Sequence, residues 1–231
     1  LPDAYGLQRR LVAERLARGD RISGYRGGLM SAASLSARKV SEPLTGVMFA
    51  SMESTGQVSL CGYRRANFEL KLGFVFKAPV RKPVKDVADL RGLVGAVQPV
   101  IDLPDIAYRD PNAYGAVDMV AANISSARYV RGQPRPANDL DLDALVVTFE
   151  RDGVRLARGL GRESLDGQWG SLLTLVNLRL REGGRIAPGQ FMLTGKIGDK
   201  GTVTPGHYRA DYGPLGVVAF EAVACAQPAG R

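Results

Sequence analysis

Histidine is almost missing from this chain of 231 residues: His207 stands alone. One imidazole excludes an HExxH metalloprotease and any multi-histidine metal centre. Cysteine is nearly as scarce. Cys61 and Cys225 are too few for a zinc ribbon or a disulfide framework, and both read as packing residues. No run of about 18 apolar residues occurs, so a membrane-spanning helix is excluded. Internal repeats and low-complexity tracts are absent. So are glycine-rich phosphate or dinucleotide fingerprints in a strand-to-helix context. Any metal held here would be a hard cation bound by oxygen.

Hydrophobic residues make up 45% of the chain and charged residues 23%, the balance of a soluble globular protein. The length suits one domain over 1–231, with an N-terminal helix and glycine-rich segment in 1–40 and a strand-rich core in 41–225. Thirty-one Lys and Arg against 23 Asp and Glu give a net charge of +8. The basic residues are scattered, with no aromatic-interleaved stripe and no RNP signature, which argues for a solvated basic surface rather than nucleic-acid binding. The chain opens at Leu1 without Met. A removed signal peptide, a tag and a disordered segment all fit that start.

Periodicity predicts a helix over 3–18, capped by Asp3 and ended by Gly19, with Leu7, Leu11, Val12 and Leu16 on its buried face. Gly24, Gly27 and Gly28 mark a tight backbone path. Strand patterns follow over Leu44–Phe49, Val58–Leu60, Phe68–Phe76 and Val94–Leu103, with a short helix near Asp86–Leu90. A polar loop spans 104–116, and a Pro-rich surface linker is expected over Pro134–Asn138. Arg151-Asp152-Gly153 is a hairpin turn between Leu145–Glu150 and Val154–Arg158. Ser171–Arg181 reads as a helix with Trp169 packed near its start. Gln190–Thr194, Gly206–Tyr212 and Leu215–Ala224 read as strands, His207 as an exposed turn residue, and Gly195–Gly201 as a surface loop. Many strands with few helices make the class α+β.

Seven segments, taken in order, resemble one known superfamily. They are Asp3–Gln8, Gly24-Tyr25-Arg26-Gly27-Gly28-Leu29-Met30-Ser31, Glu42–Phe49, Phe68-Glu69-Leu70-Lys71-Leu72, Val120–Ser126, Gly189–Gly195 and Tyr212–Gly216. The set is similar to the fumarylacetoacetate hydrolase superfamily, in its branch of 2-keto-4-pentenoate hydratases and 4-oxalocrotonate decarboxylases. The resemblance implies a roll-like, strand-rich fold with a few peripheral helices. It also implies a homo-oligomer, a cytoplasmic location (periplasmic if a signal peptide once preceded Leu1), and no nucleic-acid or membrane partner. The implied substrate is a small 2-oxo or 2-hydroxydienoic acid, used in aromatic degradation by a hydro-lyase. The implied cofactor is Mg²⁺ or Mn²⁺ held by three carboxylates.

By that resemblance the site falls on Glu69, Lys71 and Asp102, with Arg26, Asn123, Ser125 and Thr194 facing the substrate. Glu69 and Asp102 match the acids that hold the metal, whereas Lys71 stands where the third acid belongs. Arg26 replaces a lysine and Ala122 an aspartate. Residues i and i+2 of a strand share a face, so Glu69 and Lys71 meet the same space. Two readings follow. A metal binds through Glu69, Asp102 and substrate oxygens while Lys71 swings away, or the Lys71 ammonium itself occupies the cation position. The second is preferred, because ammonium and divalent ion in one small site repel without a third acid to offset them. A relative with this substitution is either an altered hydratase or a non-catalytic protein that binds small oxo acids.

Overall fold

The computed structural model describes residues 1–110, 113–137 and 140–225. In chain order, the first half comprises α1 (Pro2–Ala17), β1 (Ile22–Gly28), α2 (Ala32–Arg38), β2 (Leu44–Phe49), β3 (Gln57–Ser59), β4 (Asn67–Phe76), α3 (Val87–Leu93) and β5 (Val94–Leu103). Then come α4 (Ala116–Ala121), β6 (Arg128–Arg131), β7 (Arg135–Pro136), β8 (Val146–Arg151), β9 (Val154–Leu160) and α5 (Gly167–Arg181). The chain ends in β10 (Phe191–Leu193), β11 (Ile197–Thr202), β12 (Gly206–Asp211) and β13 (Val217–Val223). The strand-rich α+β class is as expected, and no helix among the described residues is long and apolar enough to cross a membrane.

One mixed sheet runs β2-β1-β10-β4-β5-β6, with β11 also pairing β4 and β7 also pairing β5. A second sheet runs β3-β13-β12-β8-β9. β4 is the axis of the first sheet. Phe68, Leu70, Leu72 and Phe74 alternate along it, all 3% exposed or less, and join one apolar core with Phe149 and Tyr208 of the second sheet. Phe68 meets Phe149 with ring centroids 4.5 Å apart. The β8–β9 turn is the hairpin expected: Asp152 and Gly153 both have positive φ, the backbone of a twist-matched two-residue turn.

Several local expectations are overturned. Gln8 and Ala4 face inward from α1, and Leu7 and Leu16 lie exposed. The reason is polar: Gln8 Nε2 donates to the Thr45 and Val120 carbonyls, 2.9 and 3.3 Å away, which fixes the docked face. Asp3 sits in the first helical turn without capping it. Cys61 and Cys225 are exposed and joined in a disulfide that ties the end of β13 to the loop after β3, so they are not packing residues. His207 is exposed, but on β12 rather than in a turn. The surface loop read over Gly195–Gly201 contains most of β11, which bulges as it pairs β4. Trp169 lies inside α5, whose first turn extends back to Gly167, and packs edge-on against Phe74. The linker expected over Pro134–Asn138 contains β7, and its Asn138 lies outside the described residues.

The glycines of β1 are spatial necessities. A Cβ on Gly24 would stand 2.3 Å from the Phe191 carbonyl oxygen, because β1 and β10 run parallel in close contact there. Gly92, on α3, has open space around it. Gly24→Ala is therefore expected to cost roughly 2–4 kcal/mol by forcing β1 from β10. Gly92→Ala is expected to be neutral or to stabilise by up to about 1 kcal/mol through helix propensity. Urea unfolding of the two variants checks the contrast, and equal effects would refute it.

Candidate functional site

The site begins with strand register. β4 and β5 are antiparallel, and Glu69 pairs directly opposite Asp102. A one-residue slip of either strand would turn its carboxylate to the opposite face, into the core. Lys71 follows Glu69 on the same face. Arg26 arrives from β1, opposite Leu193 at the end of β10 and opposite Gly46 of β2. Gly46 makes room for the turn after α4, since a Cβ there would stand 3.0 Å from the Asn123 carbonyl oxygen.

Four charges converge. Arg26 Nη2 lies 3.0 Å from Glu69 Oε2 and 2.9 Å from Asp102 Oδ2. Lys71 Nζ lies 3.1 Å from the same Glu69 oxygen and 3.7 Å from the same Asp102 oxygen. Lys71 Nζ also donates to the Gly27 carbonyl at 3.1 Å, and Arg26 Nη1 to the Ile124 carbonyl at 3.2 Å. Arg26, Lys71 and Asp102 are buried, and the Glu69 side chain keeps 16% exposure. Burial opposes the Glu69 charge, but Lys71 and Arg26, with Lys200 further out, hold its carboxyl down at about 2. Burial lowers the Lys71 ammonium against the pull of Glu69, and it raises the Asp102 carboxyl against Arg26 and Lys71.

Glu69, Lys71 and Arg26 line a cavity of about 290 Å³. Asp102 lies beneath them and does not line it. The rim carries Arg38, Lys196, Lys200 and Glu163. Tyr108 and Tyr114 form one wall, stacked 4.0 Å apart, with the Arg38 guanidinium 3.9 Å over the far ring. Ser125 lines the cavity and donates to the Tyr108 hydroxyl. Asn123 and Thr194 do not line it. Asn123 spends both ends of its amide on the Val47 backbone, and Thr194 Oγ1 bonds Gln168 and the Leu72 carbonyl. Both hold the frame rather than a ligand. Sequence reasoning missed the Arg38–Tyr114–Tyr108 wall, and it weighed the stretch with Lys196 and Lys200 as an anion cradle but preferred a surface loop. Neither tyrosine sits in a periodic or motif context that would single it out.

The residues present do not make the three-carboxylate set that the resemblance implies for a divalent ion. Among the described residues no three of His, Cys, Asp and Glu converge on one point. The two acids that remain already share an ammonium and a guanidinium on the same pair of oxygens.

No protein-family model matches the chain. It is 30% identical over 207 residues to the 4-oxalocrotonate decarboxylase of Pseudomonas sp. strain CF600, covering 88% of this chain and 78% of that protein. It is 31% identical over 219 residues to the 2-keto-4-pentenoate hydratase of Paraburkholderia phymatum, covering 93% of this chain and 83% of the other. Among solved structures it superposes with TM-score 0.90 and 27% identity on a Pseudomonas putida G7 4-oxalocrotonate decarboxylase complexed with magnesium and adipate, covering 96% of this chain and 85% of that one. A fumarylacetoacetate hydrolase family protein of Yersinia pestis shares the fold at TM-score 0.67 and 13% identity, covering 86% of this chain and 92% of that one.

Glu69 supplies the test of the charge cluster. Its folded value of about 2 lies below the ordinary 4.5, so its contribution to stability is present above that ordinary value and is lost as pH falls toward 2. Glu69→Gln leaves two cations with one acid and is expected to cost roughly 3 kcal/mol at neutral pH. The variant should also lose the part of the acid destabilisation that falls between about pH 4.5 and 2. Urea midpoints across that range decide it, and parallel curves for the two proteins would count against the cluster.

Proposed function

The chain belongs to the 2-keto-4-pentenoate hydratase and 4-oxalocrotonate decarboxylase family of the fumarylacetoacetate hydrolase superfamily, and from that premise we propose that it handles a small 2-oxo or 2-hydroxydienoic acid without a divalent metal. The observation that carries the reading is the Lys71 ammonium, seated 3.1 Å from Glu69 and 3.7 Å from Asp102. The reaction class is that of a lyase, either addition of water or cleavage of a C–C bond. The Pseudomonas putida G7 4-oxalocrotonate decarboxylase is complexed with magnesium and adipate in one structure and with calcium and acetate in another. Here Lys71 supplies the positive charge that polarises the 2-oxo group, and Arg26 fixes the orientation of Glu69. Glu69 lines the cavity beside Lys71 and is the group placed to pass a proton. The cationic rim of Arg38, Lys196 and Lys200 draws an anionic substrate inward.

The second reading, a non-catalytic binding protein for oxo acids, is favoured by one feature: Asn123 and Thr194 turn their polar atoms to the backbone and to Gln168 rather than to the cavity. Loss of the ultraviolet absorbance of a 2-hydroxydienoic acid on addition of the protein separates the readings. We also carry the homo-oligomer as part of the proposal, to be tested by light scattering at tens of micromolar.

The metal question has a direct experiment. Titration calorimetry with Mg²⁺ should give no saturable heat with the unmodified protein, and Lys71→Glu should gain measurable affinity by restoring three acids. Tight Mg²⁺ binding by the unmodified protein would return the site to metal-assisted chemistry.

A further inference from the structure

We infer that Lys71 forms a covalent Schiff base with the substrate's 2-oxo group, which makes the site an imine-forming centre for 2-oxo acids. The inference rests on the proposed 2-oxo acid pocket and goes beyond it by assigning a covalent step. Three features of the structure carry it. First, Lys71 Nζ is a primary amine at the floor of the cavity, buried to 2% exposure, beside the partly exposed Glu69 carboxylate. Second, the other rim lysines are unlike it. Lys196 and Lys200 are exposed, and Lys196 donates to the Gly198 carbonyl. Third, both acids that hold Lys71 are also held by Arg26 Nη2, so neither is left without a cation when the amine turns to a substrate carbon.

The chemistry balances within the site. Lys71 passes one proton to Glu69, 3.1 Å away, whose carboxyl is released from its strongest depressing charge as the ammonium is neutralised, and the freed nitrogen pair attacks C2 of the oxo acid. The C–N bond forms as the carbonyl π pair moves to oxygen, and that oxygen takes the second ammonium proton. Glu69 then returns its proton to the hydroxyl, which leaves as water, and the C=N⁺ bond forms. Ammonium plus ketone has become iminium plus water, with no oxidant or reductant. The positive charge stays at Nζ, between Glu69 and Asp102, so the buried charge balance is the same before and after. An iminium draws electrons from the adjacent carbons, the same electronic task that a metal on the oxo group performs by coordination.

The experiment uses the intact protein, pyruvate as the smallest stable probe, excess chelator and sodium cyanoborohydride, read by intact mass and peptide mapping. The expected result is one reduced adduct per chain, on the peptide containing Lys71, saturating with pyruvate. It should be lost in Lys71→Arg, which keeps the charge and cannot form an imine. Calorimetry with pyruvate runs alongside. Saturable binding with no adduct on Lys71 overturns the covalent step while leaving the 2-oxo acid pocket intact. Neither binding nor adduct overturns both. Adducts spread over surface lysines without saturation also overturn it. The unmodified protein alone decides the matter if the variant does not fold.

Discussion

Two carboxylates directly opposite each other on neighbouring strands, Glu69 and Asp102, cannot be buried as bare anions. Each would cost several kcal/mol in lost hydration unless paired. Arg26 and Lys71 make the arrangement possible, and each touches both acids. Removing any one of the four leaves an unbalanced charge in a dry place. Much of the surrounding architecture can be read as serving this balance. β4 and β5 hold the register that sets the acids face to face. β1, stripped of side chains at Gly24, Gly27 and Gly28, lies close enough against β10 and α5 to deliver Arg26 from one side. Asn123 clamps β2 to the turn after α4, whose Ile124 carbonyl then receives Arg26.

The polar groups of Thr194 and Gln168 work in the same sense. Thr194 follows β10, the strand between β1 and β4, and its bonds to Gln168 and to the Leu72 carbonyl pin that end of β10 beside Lys71. The cavity therefore has a rigid floor built from strands, while its rim and aromatic wall come from α2, β11 and the segment around Tyr108. A fixed charged floor and a basic outer ring suit a small anion that enters head first. The anion meets scattered cations before it meets the balanced cluster.

Much of this was legible in the chain. The alternation Phe68, Leu70, Leu72, Phe74 marks β4 and puts Glu69 and Lys71 on its other face, and the β8–β9 hairpin follows from Asp152-Gly153 alone. β1 was not legible, because Ser23-Gly24-Tyr25-Arg26-Gly27-Gly28 has neither alternation nor β-branched weight. It is a strand because its neighbours leave no room for anything wider, a tertiary cause that local propensity does not carry. The buried face of α1 misled for a similar reason. Apolar spacing favours the Leu7 and Leu16 side, but the two open carbonyls of Thr45 and Val120 select Gln8. Asn123 and Thr194 match the family pattern, and a polar residue in such a match reads as a ligand contact. Only the partner atoms show that their bonds are spent on the frame.

The departure at position 71 has an electrostatic logic of its own. By resemblance, the family site holds one lysine and three acids around a divalent ion, and those charges cancel. Here Arg26 and Lys71 stand against Glu69 and Asp102, and these cancel as well. Exchanging an acid for a lysine changes the local charge by two, which equals the charge of the ion it displaces. A buried site can accept such an exchange without rebuilding the strands around it, because what the interior penalises most is net charge rather than the identity of the cation. Restoring the acid while keeping Arg26 would set one positive charge against three negative ones, a deficit of two that a hard divalent ion, but no single ammonium, makes good. On the proposed reading the lysine and the metal are alternative solutions to one constraint, and the lysine places a primary amine, instead of a Lewis acid, at the floor of the cavity.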